Sequence, residues 1–209
     1  MLSVRQSGLA AALEEVGRQD ACKIAGAVAP EARRTLVAAL GGAAFQPAPE
    51  QVGDVRQDFD LLVVRPPLGS GDPGLAPLLA FSDEYAALLR AQAPDQPWLA
   101  DFAATDIYVQ RYGPGSRGIS LHRDGRRFIK LISIFSLGDP AQFRLCRDRR
   151  GSPLRRYRLA AGDLLLLRAP GFAGRPEGGP LHAVSGPREE VRYSVSLRME
   201  RRADRAGGS

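Results

Sequence analysis

After residue 104 the chain breaks into eight short runs of strand-forming residues: 105–112, 118–123, 129–137, 142–147, 154–159, 163–168, 181–185 and 190–199. Turn residues separate them. So many short strands in about a hundred residues predict an all-β barrel or jelly roll. The first half reads differently. Residues 8–19 form a short amphipathic pattern. Residues 30–40 predict a helix, with Pro30 in its first turn and Gly41-Gly42 after its end. Residues 82–93 predict another, with Ser82 as its cap. Strands are expected at 23–28 and 58–65, and a loop at 66–74, where Pro and Gly dominate.

The predicted organisation is therefore α+β and mostly β. One domain spans 1–209. Residues 1–103 are expected to brace the core, 104–200 to form the β core, and 201–209 to be a flexible tail. With 209 residues and 44% hydrophobic content, the chain is long enough for one full core. Glu14 and Glu15 break the only N-terminal apolar run, so no signal peptide is expected, and no run approaches the length needed to span a membrane. Cys22 and Cys146 show no metal-type spacing. A cytoplasmic protein that does not engage a membrane is the expectation.

Histidine is scarce. The chain has two, His122 and His182. His122 lies in "SLHRD", one residue from Asp124, in a strand-like run. Side chains at i and i+2 of a strand share a face. An imidazole and a carboxylate placed so can hold two positions of one metal ion. His182, in the strand-like "PLHAV", can supply a third. Two His and one carboxylate leave three positions of an octahedron open, the signature of non-haem Fe(II) oxygenases. For an isolated H-x-D the simpler reading is coincidence; the placement of the only other His in a strand speaks against it.

Two further strands alternate. In "RYSVSLR", Arg192, Ser194, Ser196 and Arg198 fall on one face, and Tyr193, Val195, Leu197 and Met199 on the other. In "TDIYVQRYGPG", Tyr108, Gln110 and Tyr112 share a face before a Gly-Pro-Gly turn. A half-exposed antiparallel strand alternates in the same way. The other reading makes these faces the lining of a polar pocket. Arg192 and Arg198 lie ~20 Å apart along an extended strand at ~3.3 Å per residue. They can approach the two ends of a dicarboxylate from opposite sides, with guanidinium forks that match carboxylates.

Taken together, "RYGPGSRGISLHRD", the "GDLLLL" strand, the second His and "RYSVSLR" resemble, in that order, the AlkB-like 2-oxoglutarate/Fe(II) dioxygenases. The resemblance covers roughly residues 82–199. It implies a double-stranded β-helix, which is a jelly-roll variant, braced by N-terminal helices. It implies Fe(II) on His122, Asp124 and His182, and 2-oxoglutarate and O2 as cosubstrates. Arg192 would pair with the distal carboxylate of 2-oxoglutarate and Arg198 with the carboxylate beside the keto group. Gln110, Tyr112 and Ser194 would contact the cosubstrate. The activity implied is hydroxylation or oxidative demethylation with release of succinate and CO2. The chain departs from the family pattern at four places. Gln110 replaces Asn, and Ser194 stands where Asn is common. One extra residue separates the Gly-Pro-Gly turn from H-x-D. Arg126 and Arg127 stand where the nucleic-acid demethylases often carry an acidic residue.

Three functions are open at this point. One is demethylation of single-stranded or alkylated nucleic acid. For this, Arg126, Arg127 and the basic run 147–158 would track phosphates. The net charge of +6 suits it, and so does an arginine excess in which Lys23 and Lys130 are the only lysines among 29 basic residues. The second is hydroxylation of a small molecule or a protein side chain on the same scaffold. The third is a catalytically silent β-barrel that binds an anion or nucleic acid.

Overall fold

The computed structural model describes residues 1–66 and 73–201. Its elements run α1 (Gln6–Gln19), β1 (Ala21–Ile24), α2 (Pro30–Gly41), β2 (Gln46–Pro47), β3 (Gln51–Val52), β4 (Val55–Asp58), β5 (Asp60–Val64) and α3 (Ala76–Arg90). They continue with β6 (Asp106–Tyr112), β7 (Gly118–His122), β8 (Phe128–Gly138), β9 (Ala141–Cys146), β10 (Pro153–Leu159), β11 (Leu164–Arg168), β12 (Leu181–Val184) and β13 (Arg192–Glu200). All eight strands expected after residue 104 are present, with ends displaced by one or two residues.

They fold into two antiparallel sheets. The larger has the order β1-β11-β8-β13-β6-β5-β2, and the smaller β10-β9-β12-β7-β4-β3. The two layers make a jelly-roll double-stranded β-helix, and the period-2 alternation decides what each face meets. Tyr193, Val195 and Leu197 of β13 join Phe135 and Leu137 of β8 in the cluster that the helices cover through Leu9, Leu13, Leu36, Leu78 and Phe81. The opposite face of the larger sheet turns inward. There Ile132 and Ile134 meet Phe143 and Leu145 of the smaller sheet in a second cluster. Among the described residues, no helix is long and apolar enough to cross a membrane.

Three local expectations are corrected. The strand expected at 58–65 is β5, Asp60–Val64, and its first residue, Asp58, instead ends β4 in the other sheet. The strand expected at 23–28 ends at Ile24 and is followed by a turn with Gly26 at φ 60°. The third helix starts at Ala76 rather than Ser82, with Pro77 in its first turn, and it ends at Arg90. Ser82 is buried in its interior. Leu78, Phe81, Tyr85 and Leu89 recur at helical spacing and bury against the sheet, and that tertiary packing extends the helix towards its N-terminus past the cap signal. Most of the loop expected at 66–74 and all but Arg201 of the expected tail lie outside the described residues.

One glycine is critical to the smaller sheet. Gly118 opens β7 at φ 79°, and a Cβ there would run into the carbonyl oxygen of Val184 in β12. Gly118→Ala is expected to destabilise the fold by about 1–3 kcal/mol from backbone strain alone, with the collision adding to it. A matched pair of urea curves, wild type against variant, measures this; superimposable midpoints would show that the close approach is not maintained in solution.

Candidate functional site

His122 stands at the end of β7 and His182 in β12, directly opposite each other in the ladder. Their rings lie 4.1 Å apart between centroids. Asp124 lies two residues beyond the end of β7, in irregular backbone rather than inside a strand. One donor atom from each of the three can be chosen so that all lie within 4.8 Å of one another. Both histidines are oriented by the backbone. Nδ1 of His122 is 2.8 Å from the carbonyl of Ser120, and Nδ1 of His182 is 3.0 Å from that of Pro180. A carbonyl only accepts, so each Nδ1 carries the proton and donates it. Each Nε2 is left with a free lone pair, as a metal ligand requires.

The ladder is irregular just before H-x-D. His182 pairs with His122, and Val184 pairs with Ile119. Two residues of β7, Ser120 and Leu121, therefore oppose Ala183 alone. This is a β-bulge. Without it, the three-residue step from Ile119 to His122 would turn one of the two away from the cavity; with it, both face inward and line the same space.

Electrostatics prepare the three ligands. Burial holds the pKa of His182 at about 4, and burial also lowers that of His122, against the pull of Asp124. Both imidazoles are therefore neutral at pH 7. Burial would raise the Asp124 carboxyl, but the Arg198 guanidinium, with the two histidines, holds it below the usual range. Nη2 of Arg198 is 3.0 Å from Asp124 Oδ1. Arg198 itself is clamped. Its guanidinium lies 4.6 Å from the Tyr108 ring centre and 4.8 Å from that of Phe128, and its Nε donates to Ser196 Oγ at 2.9 Å. Phe143 stacks on His182 with centroids 5.0 Å apart and planes 16° from parallel.

The alternating face of β13 is not a solvent face. Arg192 is 1% exposed, Ser194 4% and Ser196 1%. They look into the space between the sheets, and Gln110, Arg192, Ser194 and Arg198 line one cavity with the three candidate ligands. Across the ladder, Arg192 pairs with Tyr112 and Ser194 with Gln110. Tyr112 is buried and donates its hydroxyl to Gln110 Oε1 at 3.1 Å. Burial pushes its pKa up to about 12.

Arg192 is the unusual residue. Its Nε donates to Ser136 Oγ at 3.2 Å, and its guanidinium sits 5.3 Å from the Tyr112 ring centre. Among the described residues no carboxylate pairs with it, and its Nη1 has no hydrogen-bond partner. A buried guanidinium without a counter-ion is costly. An anion delivered to Nη1 would relieve that cost, so the donor set fits a carboxylate. The cavity leaves about 20 Å³ for the centre of a water molecule, room for roughly one water. A five-carbon dicarboxylate enters only as the lining side chains part.

Three predicted residues do not line this cavity: Tyr112, which reaches it only through Gln110, and Arg126 and Arg127. Arg127 Nε lies 3.2 Å from Glu200 Oε1, and its Nη2 donates to Tyr108 at 2.9 Å. Arg126 is exposed in the adjoining turn. Sequence reasoning missed Ser136, which anchors Arg192 from β8, and Phe128, which clamps Arg198. Neither carries a local signal, because each reaches the site through strand pairing.

A two-layer β-helix with a buried His/Asp/His cluster and a second charged anchor between its sheets is the architecture to compare. No protein-family model matches the chain, and no curated protein matches it. Solved structures do. A Pseudomonas putida prolyl-4-hydroxylase is 15% identical, with 93% of this chain and 100% of that one covered at a TM-score of 0.59. A dioxygenase for auxin oxidation in rice is 13% identical, with 95% and 79% covered at 0.64. OsALKBH1 is 15% identical, with 86% and 98% covered at 0.57. The chain thus has the double-stranded β-helix fold of these proteins.

Proposed function

We propose that this protein is an Fe(II)- and 2-oxoglutarate-dependent oxygenase of the AlkB-like type. The observation that carries the proposal is the pairing, in one cavity, of the His122/Asp124/His182 cluster with a buried arginine that lacks a counter-ion. Bound iron and 2-oxoglutarate would supply an oxidant made from O2, with succinate and CO2 as by-products. The chain's own residues do the rest. His122 and His182 present Nε2, and Asp124 supplies the negative charge. Arg198 steadies Asp124 and offers positive charge beside it. Arg192 receives the distal carboxylate of 2-oxoglutarate, Gln110 and Ser194 complete the polar lining, and Tyr112 orients Gln110. The apolar walls, Ile119, Ile134, Phe143 and Val184, keep bulk water away from the reaction.

For the substrate we favour alkylated nucleic acid. The order of motifs and the net charge of +6 support this. The rival is a protein or small-molecule substrate. The fold is shared equally with prolyl hydroxylases and an auxin dioxygenase, and Arg127 is already committed to Glu200. Mass spectrometry separates the two. The protein is incubated with Fe(II), 2-oxoglutarate and a panel of methylated oligonucleotides, and succinate and formaldehyde are measured together. Succinate with stoichiometric formaldehyde is expected. Succinate without formaldehyde from any oligonucleotide would leave the oxygenase and discard the nucleic-acid substrate. Absence of both products would discard the nucleic-acid substrate, and failure to bind Fe(II) and 2-oxoglutarate in calorimetric titration would sink the oxygenase as well.

A further inference from the structure

Arginine collects on the outer face of the smaller sheet, away from the metal cavity. In β9, Phe143 and Leu145 are buried between the sheets, so Gln142 and Arg144, which alternate with them, point outward. Arg156 and Arg158 of β10 lie directly opposite Arg144 and Gln142 and share their face. Further across the sheet, Arg56 and Arg117 border a cleft of about 340 Å³ that Arg144, Ser120 and Ser185 also line. All five arginines are exposed. Among the described residues, Asp58 alone forms an ion pair with any of them, at 3.8 Å from Arg117. Asp139 feels the charge of Arg158 but spends its carboxylate on the backbone N–H groups of residues 188–190.

This placement costs stability. Like charges directly opposite in a ladder repel, and the Cβ atoms of Arg144 and Arg156 are only ~4.5–5.5 Å apart. An anion lying between them removes the penalty. The row is also too long for one small anion. From β10 to β4, with β9, β12 and β7 between, it crosses about 19 Å at ~4.8 Å per strand.

We propose that this face binds the sugar–phosphate backbone of a nucleic acid. Guanidinium forks match phosphate oxygens bidentately, and a row of them suits a chain of regularly spaced phosphates. Tyr157, between Arg156 and Arg158, packs against the apolar cluster on the other face, so among the described residues it offers these arginines no platform on which bases could stack. Contacts fall on the backbone and carry little sequence preference. The inference does not depend on the oxygenase chemistry. It keeps Arg156 and Arg158 of the basic run 147–158, adds Arg56, Arg117 and Arg144, and leaves out Arg126 and Arg127, which lie outside this face.

The test uses the full chain without added iron and a fluorescein-labelled single-stranded oligonucleotide, followed by anisotropy at several salt concentrations. Binding should weaken with salt, with a log–log slope of roughly −0.7 per phosphate neutralised. The triple variant Arg144→Ser, Arg156→Ser, Arg158→Ser should weaken binding at least tenfold and flatten the slope by about two units. Its thermal midpoint should hold or rise, since the replaced side chains are exposed and mutually repelling. Arg56→Ser with Arg117→Ser should act in the same direction. Its affinity for Mn(II) should equal that of the wild type, so loss of binding and loss of the metal site are read separately. An unchanged slope in both variants, or no binding at low salt, overturns the proposal. Equal affinity for anionic phospholipid vesicles or for polyglutamate overturns it too, by showing a surface that reads charge alone.

Discussion

Replacing His182 with Ala is expected to abolish succinate formation from 2-oxoglutarate and to weaken Fe(II) binding by more than a hundredfold. Loss of a group that merely orients a metal ligand typically costs 10–100-fold, and loss of the ligand itself should exceed that. His122→Ala and Asp124→Ala should fail in the same way. Asp124→Asn keeps the volume but removes the charge, so it should lose iron while retaining the fold; it also strips Arg198 of its partner at 3.0 Å. The double variants should be no worse than the singles, because ligands that act as a unit are not additive. His182 also stacks on Phe143, so His182→Ala leaves a hole, and its circular dichroism spectrum must be checked against wild type. Calorimetric titration with Mn(II), which resists oxidation, reads metal affinity apart from turnover. Full turnover in any one folded variant would remove that residue from the ligand set.

The three candidate ligands were legible because two histidines in 209 residues leave few combinations. The fold was legible because strand period and turn residues are local. What could not be read is which face of a strand is wet. Period 2 says that Arg192 and Tyr193 point opposite ways; it says the same for a solvent-washed strand and for a pocket wall. Only the second layer decides, and it comes from β7, β9 and β12, far away in the chain. The same limit hid Ser136 and Phe128, which meet β13 through its pairing with β8. It also hid the neighbour of Arg127: β13 runs far enough along β8 to set Glu200 opposite Phe128, and the acid pairs with the guanidinium. The start of the 58–65 run is of this kind too. Asp58 ends β4 and pairs with β7, whereas Asp60–Val64 pair with β6, and nothing local marks the change of partner at Phe59.

Arg192 is expected to give two measurements of opposite sign. Ordinary burial arguments would make its removal destabilising, because it is a large, fully buried side chain. Its electrostatics point the other way. The charge is desolvated, has Ser136 and the face of Tyr112 for company, and leaves Nη1 unpaired. Replacing such a group with an apolar one of similar volume is often neutral or stabilising. Arg192→Met should therefore keep or raise the denaturation midpoint of the ligand-free protein. Cosubstrate binding should fall in the same variant. Charge-assisted hydrogen bonds are worth ~1.5–3 kcal/mol, which corresponds to roughly a 10- to 150-fold loss of 2-oxoglutarate affinity. Fe(II) binding should survive, since Arg192 is not among the ligand atoms. Arg192→Lys should recover part of the loss, because an ammonium supplies the charge without the planar fork. A variant that is less stable yet binds 2-oxoglutarate as tightly as wild type would make Arg192 a packing residue. That result would take away the observation on which the cosubstrate assignment stands.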